Sequence, residues 1–465
     1  MTAPTLPTTD ERGGDRATEG RSRLELAAWL LLALASVWAV VGVLRYDFRE
    51  TQVIGDQSSF VLQALSLAQD GHNLSYDQRD IDAWTALEWD RDPAGIFYQA
   101  NDDGYAFAKP YGASIVYAAG AAVAGPRWGF PLAAVTMLLG SVGITIALLR
   151  LRLRGVLVPA ITFAYVFASN LWWHAFVIMT ELFLVCVVGS CLYAFLRGRR
   201  DHDIRWITLG AALAAFLLTE KAPLLPLLAP IGVVVLLSVP EWRRRVLVVA
   251  VAVVVGLVST FPYLYYSDFE ATNPYAGERY YALGRVHFDV DDEREINGRP
   301  IDTDETFSAT YVRENAFVDF DEKARAFARY FVGRYPGMIV FMPLAAFALA
   351  GTVALACRRR LDAAAIALAA GAFGYILFYT WFFPGNFYGG LQSMGNRYWV
   401  RASPIVVALL AWVPFRSRTL FWFVGGSVLC SALFVPHFHA EPQNAYLLYQ
   451  DRGPVQEVLP HLAAE

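Results

Sequence analysis

The sequence predicts an all-α polytopic membrane protein of about 11 transmembrane helices with two large extracytoplasmic loops. Three observations predict it. Of 465 residues, 56% are hydrophobic and only 17% are charged, whereas soluble domains carry about 25% charged residues. The apolar residues fall in blocks near the roughly 20 residues that a bilayer demands. Between the blocks, arginine gathers in clusters, as it does in short cytoplasmic loops. These clusters are Arg12/Arg16/Arg21/Arg23, Arg150/Arg152/Arg154, Arg197/Arg199/Arg200, Arg243/Arg244/Arg245, Arg358/Arg359/Arg360 and Arg416/Arg418.

In chain order, residues 1–23 form a cytoplasmic tail too polar to fold. The run 24–44 follows without a small-residue cleavage site and reads as an uncleaved helix. Residues 45–109 form the first outer loop, with a helical pattern over 58–71. The Ala- and Gly-rich run 110–124 is short and reads as interfacial or re-entrant, so the outer region extends over 45–127. Spans are expected at 128–149, 154–172, 178–196, 206–218, 222–239 and 245–264. The second outer loop, 265–335, holds 15 Asp/Glu against 9 Lys/Arg and a helical pattern at 320–335. Further spans are expected at 336–357, 362–383, 402–415 and 418–436, with a small outer loop at 384–401 and an outer tail at 437–465. The transmembrane domain is thus 24–436. All arginine clusters lie on one side only if an even number of spans separates each neighbouring pair, and leaving 110–124 uncounted satisfies this.

Composition excludes several classes. A net charge of −4 argues against a nucleic-acid partner. The four cysteines lie inside apolar runs and read as small hydrophobes, not as a disulfide framework. No Walker A, Rossmann glycine pattern or Gly-x-Ser-x-Gly elbow is present. Lysine occurs only at 109, 221 and 323, a preference for arginine common in GC-rich bacteria. The expected location is a bacterial inner membrane, with the N-terminus in the cytoplasm.

Candidate site residues cluster at the outer boundary. Asp56 and Gln57 open the 58–71 helix just beyond the first span. The carboxylate there is either a helix cap or a catalytic group. Lys109 and Tyr111 open the 110–124 helix, where an ammonium either snorkels or holds a phosphate. Glu181 lies at the outer start of the 178–196 helix, and Glu220 and Lys221 at an outer turn. Charges at membrane depth are costly and face a cavity or a partner. Asn273, Tyr275 and Arg279 begin the second loop. Asn396 and Arg397 precede the 402–415 helix, and guanidinium groups there, Arg401 included, suit phosphate oxygens or interface anchoring. His437 and His439 lack a third ligand for a metal.

Taken in order, Gly55-Asp56-Gln57 with Asp70-Gly71, Lys109-Pro110-Tyr111-Gly112, Asn273-Pro274-Tyr275 and Asn396-Arg397-Tyr398 resemble the motifs of the GT-C superfamily of integral-membrane glycosyltransferases. The likeness is greatest to bacterial protein-mannosyltransferase and lipid-A sugar-transferase types, and covers about 50–410. The pattern has a second carboxylate where this sequence has Gln57, which leaves a divalent metal unsupported; no cofactor is expected. The resemblance implies a GT-C-like fold and transfer of a sugar from a polyprenyl-phosphate donor to a lipid, glycan or protein acceptor outside the membrane. Asp56 would be the general base. Lys109, Arg279 and Arg397 would face the phosphate, Glu181 and Glu220 would be reserve carboxylates, and Gln57, Tyr111, Lys221, Asn273, Tyr275 and Asn396 would complete the substrate site. Trp84, Trp89 and Tyr98 would be available for sugar stacking. Two alternatives are a polysaccharide polymerase or ligase, disfavoured by the acidic loops, and a transporter or flippase, disfavoured by the lack of repeats and of mid-helix charge.

Overall fold

The computed structural model describes residues 14–50, 56–69, 73–89, 93, 96–101, 104–266, 279–282, 299–301, 319–332, 337–358, 361–384, 396–413 and 417–434. Helix α1 (Gly14–Arg45) carries the first apolar run. It starts inside the expected unfolded tail. Extending a helix costs far less than nucleating one, and Arg16, Ala17, Glu19 and Arg21 are good helix formers.

The first outer region follows: α2 (Asp56–Ala68), β1 (Ser75–Tyr76), α3 (Gln78–Ala86), β2 (Ile96–Asn101) and β3 (Gly104–Phe107). Strands β4 (Arg279–Ala282) and β5 (Arg299–Ile301) from the second outer loop complete an antiparallel sheet of order β1-β3-β2-β4-β5. Tyr98 lies opposite Phe107 on one side and Tyr280 on the other. The expectation of an all-α chain did not include this small sheet, although aromatic residues at 97, 98, 105, 107, 280 and 281 are good strand formers.

Asp77 and Asp80 form a capping box on α3: Asp77 accepts from the Arg79 backbone N–H at 2.9 Å, and Asp80 Oδ2 accepts from the Asp77 N–H at 2.9 Å. Asp80 is buried, and burial pushes its pKa up to about 7. Its folded pKa lies above the unfolded value near 3.9, so its contribution to stability is present below pH 4 and is lost as pH rises to about 7. Asp80→Asn keeps an acceptor for the cap and removes the titration. It should raise stability at pH 8 by about 1–4 kcal/mol and leave it nearly unchanged at pH 4. Thermal melts of the purified protein at the two pH values check this.

Helix α4 (Gly112–Arg150) is two helices joined by a sharp turn. Gly125 adopts φ 72° and ψ 157°, and Pro126 begins the second segment. The segments fold back on each other at Gly120 and Gly129, where a Cβ on Gly120 would clash with the Gly129 carbonyl oxygen. The first segment, about 20 Å long at 1.5 Å per residue, is too short to span. Gly120→Val should destabilise by about 1–3 kcal/mol, because the clash is with backbone that no rotamer change relieves. A lowered melting temperature in detergent is the check.

The helices that follow are α5 (Leu157–Val166), α6 (Glu181–Asp201), α7 (Ile204–Glu220), α8 (Leu225–Ser238), α9 (Trp242–Tyr266), α10 (Phe320–Val332), α11 (Met338–Phe341), α12 (Pro343–Cys357), α13 (Ala363–Phe382), α14 (Arg397–Ala402), α15 (Pro404–Leu410) and α16 (Ser417–Phe434). The apolar stretches expected as spans fall on helix, but several are broken. The 336–357 stretch divides before Pro343 and the 402–415 stretch before Pro404, where the missing N–H and the ring interrupt the ladder. The 154–172 stretch ends as helix at Val166 and continues into a 3₁₀ turn at Trp172–Phe176. Among the described residues, 5 helices are long and apolar enough to cross a membrane. Those at α1 and α9 bury only 17% of their apolar windows, as expected of helices that face lipid.

The bundle has two chemically different ends, and α6 links them. At its C-terminal end, Asp362 accepts from Arg152 at 3.0 Å and lies 3.7 Å from Arg199, while Arg150 sits 5.3 Å over Trp29. The arginine clusters near 150 and 200 therefore share one end with the start of α13. At the other end of α6 lies Glu181.

Candidate functional site

Asp56 is the first residue of α2. Its carboxylate lies between two cations from distant segments: Oδ1 accepts from Lys109 Nζ at 2.6 Å, and Oδ2 lies 3.1 Å from Arg397 Nη2. Lys109 is buried and its backbone is held separately. Two turns along the face of α2 from Asp56, Gln63 donates to the Lys109 carbonyl at 3.2 Å and accepts from Ser114 Oγ at 2.7 Å. Arg397 opens α14, whose N-cap is Asn396, accepting from the Trp399 N–H at 3.0 Å. Arg397 also points Nη1 at Met179 Sδ, 3.8 Å away.

Arg401 lies one turn beyond Arg397 on the same face of α14. It sits 4.5 Å over the Tyr398 ring and 3.4 Å from Glu181 Oε1. Both Glu181 and Arg401 are buried. His174, from the 3₁₀ turn, feels the charges of Glu181, Arg397 and Arg401. Burial lowers its pKa to about 4, with Glu181 opposing and the two arginines adding, so the imidazole is neutral near pH 7.

Glu220 closes α7. Its carboxylate accepts from the Gly112 N–H at 3.0 Å and from the Tyr263 hydroxyl at 3.0 Å. Tyr111 packs on Tyr263 with ring centroids 5.1 Å apart and donates its hydroxyl to the Ser259 carbonyl at 2.9 Å. Glu220 and Tyr111 thus pin the start of α4, and with it Lys109, to α7 and α9. Lys221 follows Glu220 into the same field. Its burial, then Arg401 and Lys109, push its pKa down, with Asp56 opposing.

The structure brings Asp56, Lys109, Glu181, Glu220, Lys221 and Arg397 to one end of the bundle. It assigns Asn396 to a helix cap and Tyr111 to bracing, and it buries Gln57 beside Asp56. Arg279 lies on β4, paired through its backbone register with Gln99. Asn273, Tyr275, His437, His439, Gly55 and Asp70-Gly71 lie outside the described residues. Trp84 stacks on Trp89 at 4.7 Å and is buried, as is Tyr98, so two of the three proposed stacking rings are committed to packing. Sequence reasoning passed over His174 and Gln63. Gln63 carried a signal, standing seven residues after Asp56 on one helix face.

Burial works against the Asp56 charge, but Lys109, Arg397 and Lys221 outweigh it and hold the carboxyl far below the usual carboxylate range. Four cations, Lys109, Lys221, Arg397 and Arg401, face Asp56, Glu181 and Glu220. Among the described residues, Glu181 Oε2, Arg397 Nε, Arg401 Nε, Asn396 Nδ2 and both His174 nitrogens are buried without a hydrogen-bond partner. Buried polar atoms are nearly always paired, so these neighbouring residues offer unused hydrogen-bonding capacity. No group of three or more His, Cys, Asp or Glu suited to a metal ion occurs among the described residues.

No family model and no curated protein matches the chain. Among solved structures, the crystal structure of ArnT from Cupriavidus metallidurans bound to undecaprenyl phosphate is similar at a TM-score of 0.48 and 17% identity, over 85% of this chain and 62% of that one. This chain thus spans less than two thirds of the length of the protein it resembles.

Proposed function

We propose that the chain is a GT-C-type membrane glycosyltransferase that moves a sugar from a polyprenyl-phosphate donor to a hydroxyl of a lipid, glycan or protein. The reaction takes place on the face opposite the arginine clusters, which is extracytoplasmic by the positive-inside rule. The observation that carries this reading is the pair of cations, Lys109 and Arg397, closing on Asp56 at 2.6 and 3.1 Å. A carboxylate so clamped has little proton affinity. A donor phosphate entering between the cations draws them to its own oxygens and restores basicity to Asp56.

The acceptor oxygen then attacks the anomeric carbon. Its proton passes to Asp56, the bond from the anomeric carbon to the phosphate oxygen breaks, and the electron pair leaves with the phosphate. Lys109, Arg397 and the neighbouring Lys221 stabilise that departing charge. The open polar atoms of His174, Glu181 and Arg401 suit the hydroxyls of the transferred sugar. Binding of undecaprenyl phosphate and of undecaprenol to the purified protein, compared by native mass spectrometry, tests the reading. Retention of the phosphate lipid well above the alcohol is expected. Equal retention of the two would contradict a site built for a lipid phosphate.

A further inference from the structure

We propose that a cavity at the arginine-bearing end of the bundle, remote from Asp56, binds the phosphodiester headgroup of an anionic membrane lipid. The cavity holds about 540 Å³ and lies where α4, α6 and α8 end and α13 begins. That volume is within the range of small-molecule sites. Arg152, Arg199 and Arg200 line it, opposed by the single lining carboxylate of Asp362. Two of the three arginines turn to that carboxylate, at 3.0 and 3.7 Å, and Arg200 leans on its sequence neighbour Asp201 at 2.7 Å. Arg152 is further fixed over the Trp412 ring at 3.9 Å.

Apart from His202 and Ser238, the other lining is apolar, with Leu148 and Leu196 among the walls. A cationic rim over an apolar wall, at the level where helices leave the bilayer, fits an amphiphile. The phosphate meets the guanidinium forks, and the glycerol and first acyl carbons meet the leucines. A free phosphate ion has no use for the apolar wall. The arginine clusters assign this end to the cytoplasmic leaflet, whose anionic lipids are attracted to basic sites. The proposal does not depend on the catalytic reading, since none of these residues belongs to the Asp56 site.

The test uses the full chain in phosphatidylcholine nanodiscs, exchanged against phosphatidylglycerol and followed by native mass spectrometry. Preferential retention of phosphatidylglycerol is expected, falling about fivefold for each arginine lost in Arg152→Ala and Arg200→Ala. Asp362→Asn supplies the opposite sign. Asp362 Oδ1 caps α13 through the Ala365 N–H at 2.9 Å, and Asn caps about as well as Asp. The variant should therefore fold normally, free two guanidiniums and retain the anionic lipid more strongly. Equal retention of the two lipids by the wild type overturns the proposal. So does an unchanged preference in both arginine variants, or weaker retention by folded Asp362→Asn. Displacement of the lipid by millimolar inorganic phosphate would reassign the cavity to a free anion and overturn it as well.

Discussion

Asp56→Asn should bind polyprenyl phosphate more tightly than the wild type while losing sugar transfer by about 10²–10⁴-fold. The two effects have one origin. The Asp56 carboxylate competes with the donor for Lys109 and Arg397, and Asn removes the competitor while keeping the shape. It also removes the base. If Asp56 only anchors the two cations, the substitution would loosen them, and lipid-phosphate binding would weaken. Equilibrium binding and turnover measured on the same preparation separate the two roles by the sign of the binding change.

Lys109→Ala should weaken binding of the lipid phosphate by about 1–3 kcal/mol, the range for a lost charged hydrogen bond. That is roughly 5–150-fold in Kd. The segment around it stays anchored, because its carbonyl is held by Gln63 and the start of α4 by Glu220. Asp56 keeps Arg397 as partner, so no uncompensated charge is left. Arg397→Ala should weaken binding to a similar extent. Wild-type affinity in both variants would remove the two cations from the site. Titration of each variant with undecaprenyl phosphate reads this directly.

The apolar helices were legible because a bilayer imposes a length and an apolar composition that no soluble helix needs. Where the helices break was not, since Pro343 and Pro404 each sit inside a stretch that composition alone reads as continuous. The small sheet escaped for a different reason. Its strands are two to six residues long, and β2 pairs with β4 across most of the membrane helices between them. Each pole of the site was visible singly: Asp56 as a carboxylate beyond the first span, Lys109 as a rare lysine at the outer boundary, and Arg397 before a late helix. Their meeting within 3.1 Å is a property of packing that spacing does not encode. Asn396, nominated for binding, spends its side-chain oxygen on capping its own helix and keeps its Nδ2 open, a split role that spacing does not encode. His174 left no signal, because a lone histidine next to two tryptophans reads as interfacial packing until its neighbours are known.

The most direct measurement follows a labelled sugar on polyprenyl phosphate in proteoliposomes holding the wild-type chain, with a panel of such donors and cell-envelope extract as acceptor. The account predicts that at least one donor loses its label to the acceptor and yields an equal amount of free polyprenyl phosphate, and that Asp56→Asn does neither. Retention of the label by every donor, on protein that binds polyprenyl phosphate normally, would contradict it.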